Sequence, residues 1–204
     1  KALAKRLGYA YIDTGAMYRA TTLHFLRNHI DLDDPAAVRQ GLDSLQIHFE
    51  ATAAGNQTYL NGENVEEEIR KMYVSEAVSP VAALSAVRRD MVRQQQEMGN
   101  SKGVVLDGRD IGTVVFPDAE LKIFLTADPM IRAQRRYDEL KAKGQEPDFE
   151  AVLQNLQERD HIDSTRADSP LKKAEDAIEI DNSHLSQEQQ LQKALDLVQA
   201  VFAD

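Results

Sequence analysis

Residues 103–127 read GVVLDGRDIGTVVFPDAELKIFLTA. The apolar run Gly103–Leu106 leads straight into Asp107, Gly108, Arg109 and Asp110, and a second apolar run, Leu121–Leu125, follows. Short, wholly apolar runs bounded by turn residues are the mark of strands covered on both faces, as in a parallel sheet. Asp128-Pro129 then opens a helix with an Asp cap and a Pro at its first position, and Gly144 closes it. A further helix over about 149–161 precedes a strand at Ala177–Asp181. The last helix opens with the capping box Ser186-Gln-Glu-Gln189 and runs to about Phe202.

On the other side of the quoted stretch the alternation continues. Residues 1–7 end a helix stopped by Gly8, Tyr9–Asp13 is a strand, and Ala16 to about His29 is a helix. Strands alternating with helices give an α/β fold with a mainly parallel, twisted sheet covered on both faces. Residues 41–78 differ. Ile47–Glu50 alternates apolar and polar, Thr52–Asn56 is a loop, Thr58–Leu60 is a short strand, and Asn61-Gly62 signals a tight hairpin. This is a small antiparallel insert. A helix rich in Ala, Val and Arg follows over about 67–98, broken near Pro80.

The chain has 204 residues, enough for one domain with a small insertion. Its net charge of −10 argues against coating nucleic acid or an anionic membrane, and 42 % hydrophobic residues suffice for a core. With no cysteine there is no disulfide framework, thiolate zinc site or cysteine nucleophile. No apolar run approaches the ~18 residues a membrane span needs. The opening KALAKRLGYAYIDTG holds no signal-peptide core. His24, His29, His48, His161 and His184 lack metal-ligand spacing, and Ser79, Ser101, Ser169 and Ser183 lack a nucleophile elbow.

Polar clusters carry the chemistry. Asp13-Thr14-Gly15 at a strand-to-helix turn offers backbone N–H groups to an anion, with Arg19 one turn in; the plainer reading is a helix cap beside a solvated Arg. Asp107-Gly108-Arg109-Asp110 follows a strand, where Asp107 can hold a metal ion or its water and Arg109 can clamp a phosphate; the plainer reading is a local Arg–Asp pair. Arg159, Asp163 and Arg166 recur at helical steps and share a face, presenting two guanidiniums beside a carboxylate or forming a salt-bridged surface. Residues 132–143 hold Arg132, Arg135, Arg136, Lys141 and Lys143 against Asp138 and Glu139, a net +3 in an acidic chain. That suits a gripped polyanion or a solvated helix face.

Taken together, IDTGAMYRA (12–20), LDGRDIGTVVFPDAELKIFLTA (106–127), RAQRRYDEL (132–140) and ERDHIDSTRADSPL (158–171) resemble the bacterial cytidylate kinases. The size and place of the β insert fit as well. The resemblance implies ATP-dependent transfer of the γ-phosphoryl group, with Mg²⁺, to CMP or dCMP. It implies a three-layer P-loop kinase fold over 1–204, with core 1–40, 99–127 and 172–204, a nucleotide-monophosphate insert at about 41–98 and a helical lid at about 128–171. By the same resemblance Arg19, Arg109 and Arg166 hold the acceptor phosphate with help from Thr14 and Gly15. Ser79, Arg88 and Asp110 read the base, and Arg159 and Asp163 contact the sugar. Arg132, Arg135 and Arg136 bind ATP from the lid, with Arg135 and Arg136 catalytic alongside the three phosphate arginines. Asp107 is the expected magnesium residue. A carboxylate at Asp110 accepts from the exocyclic amino group of cytosine, where UMP offers only a carbonyl. Partners are small nucleotides, with no nucleic acid and no membrane, and the expected form is a cytoplasmic monomer.

The family carries G-x-x-x-x-G-K-[ST] before its first helix, and no such stretch occurs in these 204 residues. The expectation is an N-terminally shortened form of a longer protein, with that loop within about twenty residues upstream and its strand central in the sheet. Without that strand, buried N–H and C=O rows would lack partners, and the 204 residues alone would have weak or absent kinase activity. The alternatives are a related kinase for another small acceptor, a non-catalytic nucleotide- or RNA-binding module, and a plain structural domain.

Overall fold

The computed structural model describes residues 1–52, 55–100 and 102–202. Helix α1 (Ala2–Leu7) stops at Gly8, whose left-handed φ of 69° turns the chain into β1 (Ala10–Asp13). Helices α2 (Thr14–Arg27) and α3 (Pro35–Asp43) follow. The insert contains β2 (Ile47–Thr52), β3 (Gly55–Leu60) and β4 (Glu63–Asn64), and then one 3₁₀ turn at Glu68–Arg70. Helices α4 (Met72–Ala83) and α5 (Ser85–Gly99) lead to β5 (Val104–Asp107). The second half holds β6 (Ile123–Thr126), α6 (Pro129–Ala142), α7 (Phe149–Thr165), β7 (Ile178–Asp181) and α8 (Gln187–Phe202).

The fold is the expected α/β type, with parallel strands flanked by helices and a small antiparallel sheet. β1 pairs with β5 in parallel from Ala10↔Val104 to Asp13↔Asp107, and β6 pairs with β7 from Ile123↔Ile178 to Thr126↔Asp181. β2, β3 and β4 form the antiparallel insert. One detail departs from the sequence reading. Among the described residues the parallel strands form two separate pairs rather than one continuous sheet. Each pair keeps edges without ladder bonds, which leaves β5 and β6 half-buried and Leu125 49 % exposed.

The core is built around α2. Ala16, Met17, Ala20 and Leu23 recur at helical spacing and are wholly enclosed. Against them pack Val74 and Val81 of α4, Val87 and Met91 of α5, and Leu60, Val65 and Ile69 of the insert. The insert is therefore fastened to the core through apolar contacts as well as charges.

The helix expected over 67–98 is broken, as expected, and forms α4 and α5. Pro80 sits inside α4 without ending it, and the break falls one turn later at Leu84, which is extended at φ −67° and ψ 122°. The bond a proline lacks and the clash of its ring both fall on the turn before it, so the extended residue at Leu84 is a separate break. Helix α3 was not anticipated, although Asp34-Pro35 repeats the signal of Asp128-Pro129: the Asp34 carboxylate accepts from the Ala36 N–H at 2.9 Å. The expected loop at Thr52–Asn56 falls partly on residues 53 and 54, outside the described residues, and β3 begins earlier than expected, at Gly55. Helix α7 runs on to Thr165, which puts Arg159 and Asp163 on one continuous helix.

Candidate active site

The ends of β1 and β5 bring the first two polar clusters side by side. Asp13 stands opposite Asp107 in the parallel ladder. Asp13 caps α2, accepting from the Ala16 N–H at 2.7 Å, and faces the Arg19 guanidinium at 3.5 Å. The buried Thr14 hydroxyl donates to the Asp107 carbonyl at 2.6 Å, tying the two strand ends together. Gly15 lies under the Arg19 guanidinium: a Cβ there would sit 3.1 Å from Nη1. The Tyr11 hydroxyl donates to the Asp107 carboxylate at 2.9 Å. Asp107 is held above the ordinary carboxylate range by loss of hydration on its inner side and by the like charge of Asp13, although its outer surface is open to solvent.

The third element is a buried ion pair. Arg88 of α5 donates to the Asp110 carboxylate, with side chains only 1 % and 4 % exposed. The Arg88 guanidinium lies 5.1 Å from the Tyr18 ring centroid and also donates to the Ala82 carbonyl at 3.2 Å. A wide turn of π-helix at Ile111–Val115 begins at Asp110, whose carbonyl accepts from Val114 at 2.9 Å. This turn carries the chain away while Asp110 stays inside. Among the described residues, Arg88 Nε and the Tyr18 hydroxyl are buried without a hydrogen-bond partner. Buried donors of this kind call for a ligand or water. Ser79, half-buried on α4, precedes Ala82 by three residues, close to one helical turn.

Helix α7 closes the other side. Asp163 accepts from Arg109 Nε at 3.0 Å and from Arg166 Nη1 at 2.9 Å. The plainer reading of a local Arg–Asp pair is therefore not what forms: Arg109 pairs with Asp163 and Asp110 with Arg88. Arg166 is fixed further by the Ser169 carbonyl at 2.9 and 2.7 Å. Burial lowers the Arg166 guanidinium from its usual value, and the nearby Arg88 adds to this. Arg159, one turn before Asp163, makes no ion pair or side-chain hydrogen bond among the described residues. Burial, with repulsion from Arg109, lowers it too. Cations crowded together with too few partners mark a place for an anion.

The basic helix α6 is less free than its charge implies. Arg132 is paired to Asp160 of α7, Arg136 to Glu139 at 2.8 Å, and Lys143 to Glu139 at 2.6 Å. Arg135 donates to the side chain of Asn182 at 3.0 Å and to the backbone carbonyls of Asn182 and Ser183. No described contact joins Arg132, Arg135 or Arg136 to Asp13, Asp107 or Asp110. The sequence reading missed Arg70, Glu66 and Tyr18. The i,i+4 spacing of Glu66 and Arg70 was the available signal for two of them.

Among the described residues, one hollow of about 210 Å³ is lined by apolar residues such as Phe25, Leu32 and Val81 and holds none of the candidate residues; another, of about 190 Å³, is lined by Arg88, Asp168 and Ser169 among others. Among the described residues no group of three or more His, Cys, Asp or Glu side chains is placed to hold a metal, and no helix is long and apolar enough to cross a membrane.

An α/β chain that gathers guanidiniums around strand ends and keeps one Arg–Asp pair buried beside them has the makings of a phosphate-handling enzyme. Comparison places it more narrowly. The family model described as cytidylate kinase matches residues 1–200, and the chain belongs to that family. A protein named cytidylate kinase from Bacteroides fragilis is 59 % identical over 191 residues, covering 91 % of this chain and 83 % of that protein. Proteins of the same name from Porphyromonas gingivalis and Flavobacterium johnsoniae are 55 % and 52 % identical, each covering 98 % of this chain and 90 % of theirs.

Proposed function

We propose that this chain is an ATP-dependent kinase that transfers the γ-phosphoryl group of ATP to the phosphate of CMP or dCMP. Family membership over residues 1–200 supports the reaction class. The observation that carries the acceptor is the buried Arg88–Asp110 pair with its spare donors. The Asp110 carboxylate accepts from the cytosine amino group, while Arg88 and Ser79 donate to the ring nitrogen and carbonyl. UMP offers a carbonyl where a donor is needed, and setting that acceptor against a buried carboxylate costs affinity.

The acceptor phosphate is held by Arg19, Arg109 and Arg166 at the Thr14–Gly15 end of α2. Asp163 positions two of these, since one carboxylate fixes both Arg109 and Arg166. Arg159 and Asp163 meet the sugar. Phosphoryl transfer needs alignment and charge neutralisation more than proton abstraction, because a phosphate oxygen is already an ionised nucleophile. Arg132, Arg135 and Arg136 serve ATP from the lid, and Arg136, held among the described residues only by its helix neighbour Glu139, is the readiest to turn toward transferring charge.

Magnesium fits as an ion carried by the ATP phosphates rather than as one caged by protein. Asp107, raised by loss of hydration and by the charge of Asp13, would gain from a cation bound directly or through water. The ion would neutralise phosphate charge. The chain reads as one domain, with the insert at about 41–98 and the lid at about 128–171 moving against the core, acting as a cytoplasmic monomer without nucleic-acid or membrane partners.

The test is a rate comparison on the protein as its host makes it, with ATP and Mg²⁺ and with CMP, dCMP, UMP, AMP or dTMP as acceptor. CMP and dCMP should be turned over well and UMP poorly. Equal rates on CMP and UMP would remove the base-reading role of Asp110.

A further inference from the structure

Arg70 belongs to none of the clusters read from the sequence, yet the fold sets it against one of them. It closes the 3₁₀ turn that follows β4, so it is contributed by the insert. Its Nε donates to Glu66 Oε1 at 3.0 Å, and its Nη2 reaches the same oxygen. That Nη2 also lies 3.6 Å from Asp13 Oδ2, an oxygen that Arg19 Nη2 approaches at 3.5 Å. Guanidiniums from the insert and from α2 thus face one carboxylate. Neither sits at the roughly 2.7–2.9 Å of a close charge-assisted bond.

The support behind Arg70 is firm. Glu66 is 8 % exposed, and its other oxygen accepts from the Thr58 hydroxyl at 2.7 Å and the Thr58 N–H at 3.2 Å. One edge of Arg70, Nε and Nη2, is therefore anchored. Among the described residues Nη1 makes no hydrogen bond, and the side chain is 39 % exposed. Arg19 is arranged alike, with Nη2 turned toward Asp13 and Nη1 lying over Gly15 in the first turn of α2. Two uncommitted guanidinium nitrogens from two parts of the chain therefore border the start of one helix.

We propose that Arg70 is a substrate-binding residue that grips the acceptor phosphate together with Arg19. This deepens the kinase reading above and rests on it. A phosphate dianion gives each guanidinium a close contact in exchange for a long one to Asp13, at little cost. A structural clasp between Arg70 and Asp13 is the competing account, and it makes different predictions for a ligand with and without phosphate.

The experiment is calorimetric titration of the native protein, Arg70→Gln and Arg70→Lys with CMP and with cytidine, which lacks only the phosphate. For a phosphate grip, Arg70→Gln weakens CMP about tenfold or more, the size of one charge-assisted contact. Cytidine binding stays unchanged, Arg70→Lys recovers part of the loss, and KM for CMP rises more than kcat falls. Equal weakening of CMP and cytidine, or a lowered unfolding midpoint with an unchanged CMP-to-cytidine ratio, overturns the proposal. If Arg70→Gln does not fold, Arg70→Lys gives the same ratio with the charge kept, and a ratio equal to that of the native protein overturns it. Native protein that binds CMP no better than cytidine overturns it as well. Failure of the native protein to phosphorylate CMP strikes the kinase reading instead, and the binding ratio still decides the role of Arg70.

Discussion

Arg88 donates to Asp110 across 22 positions of sequence, and both side chains are almost fully buried. A charge pair so enclosed is a weak source of stability, because desolvation consumes most of the attraction. Removing one partner is costly, since the other charge is left alone inside. Asp110→Asn keeps an acceptor and loses the charge. It should destabilise the fold by a few kcal/mol, toward the lower end of the roughly 3–5 kcal/mol typical of broken buried pairs. It should also narrow the preference for CMP over UMP, because an amide can donate to a carbonyl. Chemical denaturation and the ratio of kcat/KM values test the two effects separately. An unchanged ratio would place base reading elsewhere.

Arg109 differs in kind. Its side chain is 45 % exposed, and Asp163 keeps Arg166 as a partner when Arg109 is removed. Arg109→Ala should therefore leave the unfolding midpoint nearly unchanged. Steady-state kinetics should show kcat/KM falling about 10²–10³-fold, the cost of losing one donor aimed at transition-state charge. A fall under about twofold would end its assignment to the phosphate.

His24 is enclosed in α2 with Nε2 3.0 Å from the Ser44 hydroxyl and Nδ1 3.3 Å from the Asn28 amide. Burial lowers its pKa below the ordinary 6.5, and Arg27 pushes the same way. The unfolded chain therefore binds the proton more readily than the folded one. The stability this group contributes is present above that ordinary value and is lost as pH falls below it. Unfolding midpoints taken between about pH 7 and about pH 5, across the imidazole range, should drop less steeply in His24→Gln than in the native protein. Parallel curves would show that His24 does not couple to folding.

Much of this was legible in the sequence, and the rest shows where local reading stops. The two polar clusters at the strand ends were readable because each is short and contiguous: Asp13-Thr14-Gly15 and Asp107–Asp110 stand out within a few residues. Arg88 stood out only through the family resemblance, since an arginine on an amphipathic helix gives no local sign that it will be buried. Arg70 could not be assigned, because its meaning depends on the insert folding back until a 3₁₀ turn meets the end of β1. The net charge of α6 shows the same limit. Asp160 and the Asn182–Ser183 carbonyls lie far along the chain, yet they occupy Arg132 and Arg135. Pro80 shows the limit of a residue rule: the helix runs through it, and the break falls at Leu84, where the backbone turns extended.

The contact between Thr14 and the end of β5 leaves no room at Gly108. A Cβ there would collide with Thr14 Oγ1 and press on the Ile111 side chain. The backbone at Gly108 is not in the left-handed region, so Gly108→Ala adds steric conflict without conformational strain. Thr14 is 2 % exposed and cannot swing into solvent; to make room it must give up its 2.6 Å bond to the Asp107 carbonyl, or the strand end must shift. Gly108→Ala should cost about 1–3 kcal/mol, as inserted methyl groups do in packed sites. It should also lower kcat, because Arg109 is the next residue. Thr14→Ala alone should cost about 1 kcal/mol, for one hydrogen bond. Combined, the two should cost clearly less than their sum, because removing the hydroxyl makes space for the methyl group. Urea denaturation of the four proteins closes the cycle. Strict additivity would mean that Thr14 and Gly108 do not share the space that ties the two strand ends together.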